Sequence, residues 1–385
     1  MKRLSLVGLF CLLGACTSVK DSFNHWFRPG ALAESKMSAL VPLPVLVKPK
    51  ILWQRRVGAA EQYIFSPKVV GNTLWVSGAN GRVYSLAANT GAINKEFRAG
   101  GNISSGVAAN AKIVVLGTDK GEMMAYNPAG QWLWKSQLSS QLLSVPVMNS
   151  ELIVARSSDG AVFGFDQATG ARRWNYQRST PSLLVRNASS VTILENIVLA
   201  GFPGGRLVAL NKASGAVAWE SVVALPKGTT ELERVADITS TPYLDSERAC
   251  AIAYQGKVAC FDPLGGSALW NRDISSYVGM DADESNFYIV DDKDSVLALT
   301  KSAGSSVWKQ DKLAARGLSR PLAFGRYVIV GDSVGYLHIL SREDGAFVGR
   351  IATDGSAIGV APTILDLTSF VVQTRKGGIF AITLQ

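Results

Sequence analysis

One short pattern recurs eight times along the 385 residues, and it constrains the fold more than any other feature of the chain. It reads GRVYSL from Gly81, GEMMAY from Gly121, GAVFGF from Gly160, GRLVAL from Gly205, GKVACF from Gly256, DSVLAL from Asp294, GYLHIL from Gly335 and GGIFAI from Gly377. Successive copies are 40, 39, 45, 51, 38, 41 and 42 residues apart. Downstream of each of the first seven stands a second glycine: Gly91, Gly130, Gly170, Gly215, Gly266, Gly304 and Gly345. In five copies a tryptophan follows that glycine by four positions (Trp134, Trp174, Trp219, Trp270 and Trp308), whereas the first and seventh copies carry Lys95 and Gly349 there. A chain that repeats one unit at nearly constant length builds its core by packing each copy against the next.

Each copy shares an internal grammar. A short apolar strand precedes the motif, as in NTLWVSG, KIVVLGT, ELIVARS, NIVLAGF, NFYIVDD and RYVIVGD, and a turn rich in Gly, Asp and Asn joins the two. A second polar turn, such as NTG, ATG or ASG, leads to the tryptophan, and a further strand lies ahead of the set, as in SVPVMNS or SRPLAFG. Four short strands per unit of roughly 42 residues, with turn residues at each junction, match a propeller blade and not a helical repeat. Asn and Gly supply the positive φ that tight hairpins need. The fold class is therefore all-β, an eight-bladed β-propeller of four-stranded antiparallel blades, or seven-bladed if the weak first copy does not form. The eighth copy ends at the C-terminus without a Gly-to-Trp strand, and ILWQRRVG, from Ile51 to Gly58 with Trp53 as its aromatic, resembles the missing piece. Pairing it into the last blade closes the ring and leaves no open edge.

Residues 1–15 read as a signal peptide: Lys2 and Arg3 precede an apolar run over residues 4–13 that is too short for a permanent membrane span. Leu13-Gly14-Ala15-Cys16 resembles a bacterial lipobox, in which the chain is cut before the cysteine and the thiol is acylated, for example by palmitate. Acyl chains contribute about 0.8 kcal/mol of membrane affinity per buried methylene, so several make release negligible. Lipoprotein sorting rules place Thr17, where an aspartate would retain the protein in the inner membrane, in favour of the outer membrane. Residues 16–50 hold Pro29, Pro42, Pro44 and Pro49 with few strand signals and read as a flexible tether, and residues 51–385 as the propeller.

The formal charge of +9 falls to about +7 once Lys2 and Arg3 leave with the signal. The excess is unclustered and no nucleic-acid motif accompanies it, so a solvated basic surface is the reading and no nucleic-acid partner is expected. Of the four cysteines, Cys250 and Cys260 flank Tyr254-Gln255-Gly256-Lys257, which reads as a two-residue hairpin turn. In that register Cys250 opposes Phe261 and Cys260 opposes Ala251, so the thiols face opposite sides of the sheet and remain free unless a bulge shifts the register. An oxidising compartment favours a bridge; this geometry does not.

Catalytic chemistry finds few residues to work with. The two histidines are His25, in the tether, and His338, inside a strand motif, which is too little for a His-based zinc site or a Ser-His-Asp triad. Asp281, Asp283, Asp291, Asp292 and Asp294 superficially resemble a calcium loop, but Asn286 stands where the sharp turn wants glycine and Asp292 where a bidentate glutamate belongs. The Gly-x-x-x-Trp repeat resembles that of quinoprotein dehydrogenases, eight-bladed enzymes that bind pyrroloquinoline quinone with calcium. Those enzymes are longer and carry an adjacent cysteine pair that this chain lacks. No catalytic residue, metal or cofactor is assigned, and a quinone-dependent dehydrogenase is the alternative function.

Two repeat intervals are long, 45 and 51 residues, so extra length must emerge as loops, where binding on rigid scaffolds resides. One covers residues 175–187 and contains PSLLVRN; the other covers 221–239 and contains KGTTELERVADITSTP. With these stretches, the lipobox, the eight repeats and GDSVGYLHIL, nearly the whole chain resembles the BamB family, lipoprotein propellers of the machinery that assembles outer-membrane β-barrels. The resemblance implies a non-catalytic scaffold on the periplasmic face of the outer membrane. Its partners would be the POTRA domains of BamA, other subunits of that machinery and, as further candidates, unfolded outer-membrane proteins. Carried over by motif, the BamA-contacting residues are Leu183, Val185, Arg186 and Asp237, with Cys16 as the lipidation site; a second acidic position of the family falls on Thr239. Leu183 and Val185 alternate on an extended segment and would share one face, a geometry suited to strand addition.

Overall fold

The computed structural model describes residues 36–43, 46–179, 183, 185 and 188–385. Cys16, the lipobox and the signal segment lie outside the described residues, as does Arg186. Within the described residues the chain forms eight four-stranded antiparallel sheets, and no helix occurs. Seven blades are contiguous, over residues 68–98, 108–137, 147–176, 192–222, 243–272, 280–310 and 322–352. The eighth combines Thr363–Ile364, Ser369–Gln373 and Gly378–Leu384 with the N-terminal strand Pro49–Arg56, which pairs antiparallel with Gly378–Leu384. The first copy forms a complete blade, so the count is eight. First strands of neighbouring blades touch at most boundaries, including that between blades eight and one, which closes the ring.

The recurring tryptophan and glycine meet across blade boundaries. Each ring lies against the second glycine of the following blade: a Cβ added to Gly170, Gly215, Gly266, Gly304 or Gly345 would come within 2.5, 2.6, 2.7, 2.5 or 2.5 Å of Trp134, Trp174, Trp219, Trp270 or Trp308. The indole N–H then donates to a backbone carbonyl in that same turn, as from Trp219 to Pro263 at 2.8 Å and from Trp270 to Lys301 at 2.9 Å. Trp53 does the same for the closing blade, packing on Gly91 and donating to Ala88 at 2.9 Å. A flat ring thus fills the wedge between twisted sheets while its polar edge is satisfied. Both departures from the motif have a cause. In the first copy Phe97, two positions after Lys95, takes the place against Gly130. In the seventh, Gly349 leaves room for backbone, because a Cβ there would stand 3.0 Å from the carbonyl oxygen of Val47.

A β-bulge accompanies every ring. In blade four Ala209 pairs with Trp219 but Leu210 with Val217, so Ala218 is the extra residue, and Leu52, Leu133, Leu269 and Val307 hold the same place before Trp53, Trp134, Trp270 and Trp308. The bulge turns the tryptophan into the boundary and leaves its predecessor outward, which accounts for the exposure of these four apolar residues. The core accordingly lies between blades and not within them: one cluster joins Leu199, Leu207 and Trp219 of blade four to Ala249, Ala251 and Phe261 of blade five.

Two expectations change. Cys250 and Cys260 are disulfide-bonded, not free. The turn between them holds three residues, Tyr254 to Gly256, because Gln255 adopts a positive φ of 52° and the Ala253 amide closes onto the Lys257 carbonyl at 2.9 Å. One extra turn residue moves the register by one, so Cys250 stands opposite Cys260 on the same sheet face. Second, the expected tether reaches residue 50, whereas residues 38–41 and 46–47 are bonded to blade seven and the turn that precedes it. Ser38 exchanges bonds with Ala314 and Arg316, both guanidinium nitrogens of Arg350 donate to the Val41 carbonyl at 3.2 Å, and the Leu46 and Val47 amides donate to Val348 at 3.1 and 3.0 Å. The bulge at Val348 turns that carbonyl outward and so provides the acceptor. In the calcium-like stretch the carboxylates of Asp281, Asp283, Asp291 and Asp294 hold turns and neighbouring strands, in keeping with a turn-forming role. Asp281 accepts from the Ala323 amide, Asp283 from Tyr288 and the Asn286 amide, Asp291 from Ser295, and Asp294 from Gly317 and Leu318.

His338 is fully buried, sharing the Asp332 carboxylate at 2.9 Å with two bonds from Arg316 at 2.8 and 2.7 Å. Burial holds its imidazole below the usual histidine pKa, against the pull of Asp332. It is a strut of blade seven, beside the docked N-terminal segment.

Candidate protein-docking site

The two long intervals leave the sheet from the fourth strands of blades three and four, Arg172–Tyr176 and Val217–Val222, and cross to the first strand of the next blade. They meet, as their adjacent blades suggest. The Val185 amide donates to the Asp237 carboxylate at 2.9 Å, a bond that spans 52 residues of sequence. The other carboxylate oxygen accepts from the Gly204 amide at 3.1 Å, at the tip of the hairpin of blade four. The Asp237 carbonyl in turn receives the Tyr254 amide at 2.8 Å, from the tip of the disulfide-bonded hairpin of blade five. One residue therefore ties together both loops and two hairpin tips.

That arrangement alters the part Asp237 can play. Its side chain is 2 % exposed and faces the protein, so it holds the loop pair from beneath. Thr239, at the second acidic position, is also buried and donates to the Tyr277 carbonyl at 2.8 Å. Leu183 is turned outward, 39 % exposed, and Val185 is half-buried. Arg186 falls among residues that the structure does not describe.

Sequence reasoning passed over two more apolar residues of the second loop, Leu225 and Leu232, which are 62 % and 70 % exposed. Leu232 stands in an otherwise polar stretch, which was the signal available; Leu225 follows the apolar Val222-Val223-Ala224 and carries no such signal. The segment around Leu232 is ordered locally: the Glu233 carboxylate accepts the Thr229 and Thr230 amides at 2.9 and 3.1 Å, and the Glu233 amide donates back to the Thr230 hydroxyl at 3.3 Å, a capping-box arrangement. These bonds hold the carboxylate below the ordinary glutamate range. Val235, Ala236 and Ile238 anchor the same loop in the core. The result is an apolar, loop-borne surface on a rigid base, the combination in which apolar anchors dominate binding energy.

Among the described residues no three His, Cys, Asp or Glu side chains gather where a metal could be held. A cavity of about 720 Å³ at the inner strands of the first five blades is lined by such residues as Lys68, Ala108, Asn110, Val147, Ser190 and Thr241, with no carboxylate or histidine.

A family model described as "Outer membrane protein assembly factor BamB" matches residues 79–310. The outer membrane protein assembly factor BamB of Burkholderia pseudomallei is 37 % identical over 370 residues, covering 96 % of this chain and 94 % of that protein. This chain belongs to the BamB family. Membership makes it an outer-membrane protein assembly factor. The crystal structure of BamB from Moraxella catarrhalis superposes with a TM-score of 0.80 at 24 % identity, over 87 % of this chain and all of that one. The quinohemoprotein alcohol dehydrogenase of Comamonas testosteroni superposes at 0.72 with 13 % identity, over 87 % of this chain and 76 % of that enzyme, a likeness of fold alone.

Proposed function

We propose that this BamB-family propeller is a non-catalytic scaffold that docks onto the periplasmic POTRA region of BamA through the loops of blades three and four, lipid-anchored at Cys16 on the periplasmic face of the outer membrane. The observation that carries the reading is the Val185 to Asp237 bond, which fuses the two loops into one surface with Leu183, Leu225 and Leu232 outward. Leu183, Val185 and Arg186 form the contact face, and Asp237 fixes its backbone. A backbone pinned at Val185 on a stiff ring loses little conformational entropy on binding.

The test is capture of the purified chain by the periplasmic domains of BamA. Arg186→Glu and Leu183→Ala should each weaken capture about tenfold or more, the usual scale for an interface anchor, while leaving the melting temperature unchanged. Undiminished capture in both variants would remove the site assignment. Saturable binding of pyrroloquinoline quinone with calcium-dependent dye reduction would instead support the dehydrogenase alternative.

A further inference from the structure

Arg156 ends the second strand of blade three, Leu152–Arg156, and is buried at 6 % exposure beneath the loop that carries Val185. Its guanidinium lies over the Phe202 ring at 5.5 Å, yet among the described residues its buried Nη1 finds no hydrogen-bond acceptor. Buried polar groups in folded proteins are nearly always paired, so an unspent guanidinium donor points to a role other than packing. Arg156 lines a cavity of about 20 Å³, room for one water-sized group, together with Ser144, Ser157, Asp159, Val185 and Pro203.

The cavity walls identify what the cation serves. Val185 is one wall, and its amide bonds the Asp237 carboxylate; Pro203 is another, and the amide of the next residue, Gly204, bonds the other carboxylate oxygen. Asp159 also lines the cavity, its Oδ1 accepting from the Ser157 hydroxyl and the Ala161 amide, but the carboxylate that acts on the Arg156 charge is that of Asp237. Burial pushes the Arg156 guanidinium down to about 10 and the Asp237 charge opposes that, so the side chain stays cationic at neutral pH. Asp237 is thus a buried carboxylate whose direct partners are neutral backbone amides, with a buried cation set behind them and no ion-pair contact between the two.

We propose that Arg156 is a positioning residue of the docking surface: its buried charge balances that of Asp237, and through Asp237 it fixes the backbone at Val185. Removing one member of a buried charge pair strands the other, a larger penalty than removing both. The relevance to docking rests on the function proposed above; the positioning does not.

The experiment compares Arg156→Met, Asp237→Asn, the double variant and Arg156→Lys in the full chain. Deuterium uptake is followed in the peptide carrying Val185, with blades six to eight as internal control, and affinity is measured for the periplasmic domains of BamA. Arg156→Met should raise Val185 exchange and the BamA Kd by about tenfold or more, the scale of a lost interaction with a charged group. Arg156→Lys, which keeps the charge, should stay within about threefold of the parent, and adding Asp237→Asn to Arg156→Met should restore part of what that change removed. A merely packed arginine would give additive losses and no difference between Met and Lys. Unchanged exchange at Val185 in Arg156→Met, or multiplicative effects in the double variant, overturns the proposal. Failure of the parent chain to bind BamA would instead overturn the docking reading, and the exchange data would still judge Arg156.

Discussion

Replacing Gly266 by alanine probes the blade boundary directly. Gly266 has φ +71°, in the left-handed region, where an L side chain costs about 1–2 kcal/mol. The new Cβ would also stand 2.7 and 2.8 Å from two carbons of the Trp219 ring and 2.9 Å from the Ser221 hydroxyl. The ring cannot retreat without breaking its 2.8 Å bond to the Pro263 carbonyl, so overpacking of about 1–3 kcal/mol is added. Gly71 provides the control: its φ is +57°, but nothing lies within 4 Å of the added carbon, so only the backbone cost applies. Chemical unfolding followed by far-ultraviolet circular dichroism should show Gly266→Ala losing about 2–5 kcal/mol and Gly71→Ala about 1–2 kcal/mol. Trimming the ring, as Trp219→Leu, in the Gly266→Ala background should recover part of the difference. Equal losses at the two glycines would refute the argument that ring clearance is what the repeat glycine provides.

Other outcomes follow from the same coordinates. Reducing the Cys250–Cys260 bridge, which closes a span of 10 residues, should lower stability by about 2–3 kcal/mol, read as a shift in urea midpoint with and without reductant. Trp53→Ala, at the seam between blades eight and one, should cost about 3–5 kcal/mol and raise deuterium uptake in Pro49–Arg56 before the other blades respond. Because burial depresses the His338 pKa, the unfolded chain takes up the proton first. Stability should therefore be fully present above about pH 6.5 and decline as pH falls below it, and His338→Gln should flatten that slope in urea midpoints measured from pH 7.5 to 5.5.

Much of this molecule is written in its residue order. Eight repeats announce eight blades, the Gly-x-x-x-Trp spacing announces the wedge, Trp53 announces the closing strand, and two overlong intervals announce neighbouring loops. All of these are local patterns, or copies of one, and local patterns survive being read along a line. What folding alone decides depends on single conformations and on distant neighbours. A positive φ at Gln255 adds one residue to a turn and turns two thiols from opposite sheet faces to the same one. Room at Gly349 and a carbonyl turned out at Val348 draw residues 46–48 onto the ring. Asp237 points inward because backbone amides of Val185 and Gly204, 52 and 33 residues away, converge on it. A side chain's direction and a hairpin's parity are set by such contacts, and residue identity carries no record of them until the chain has closed.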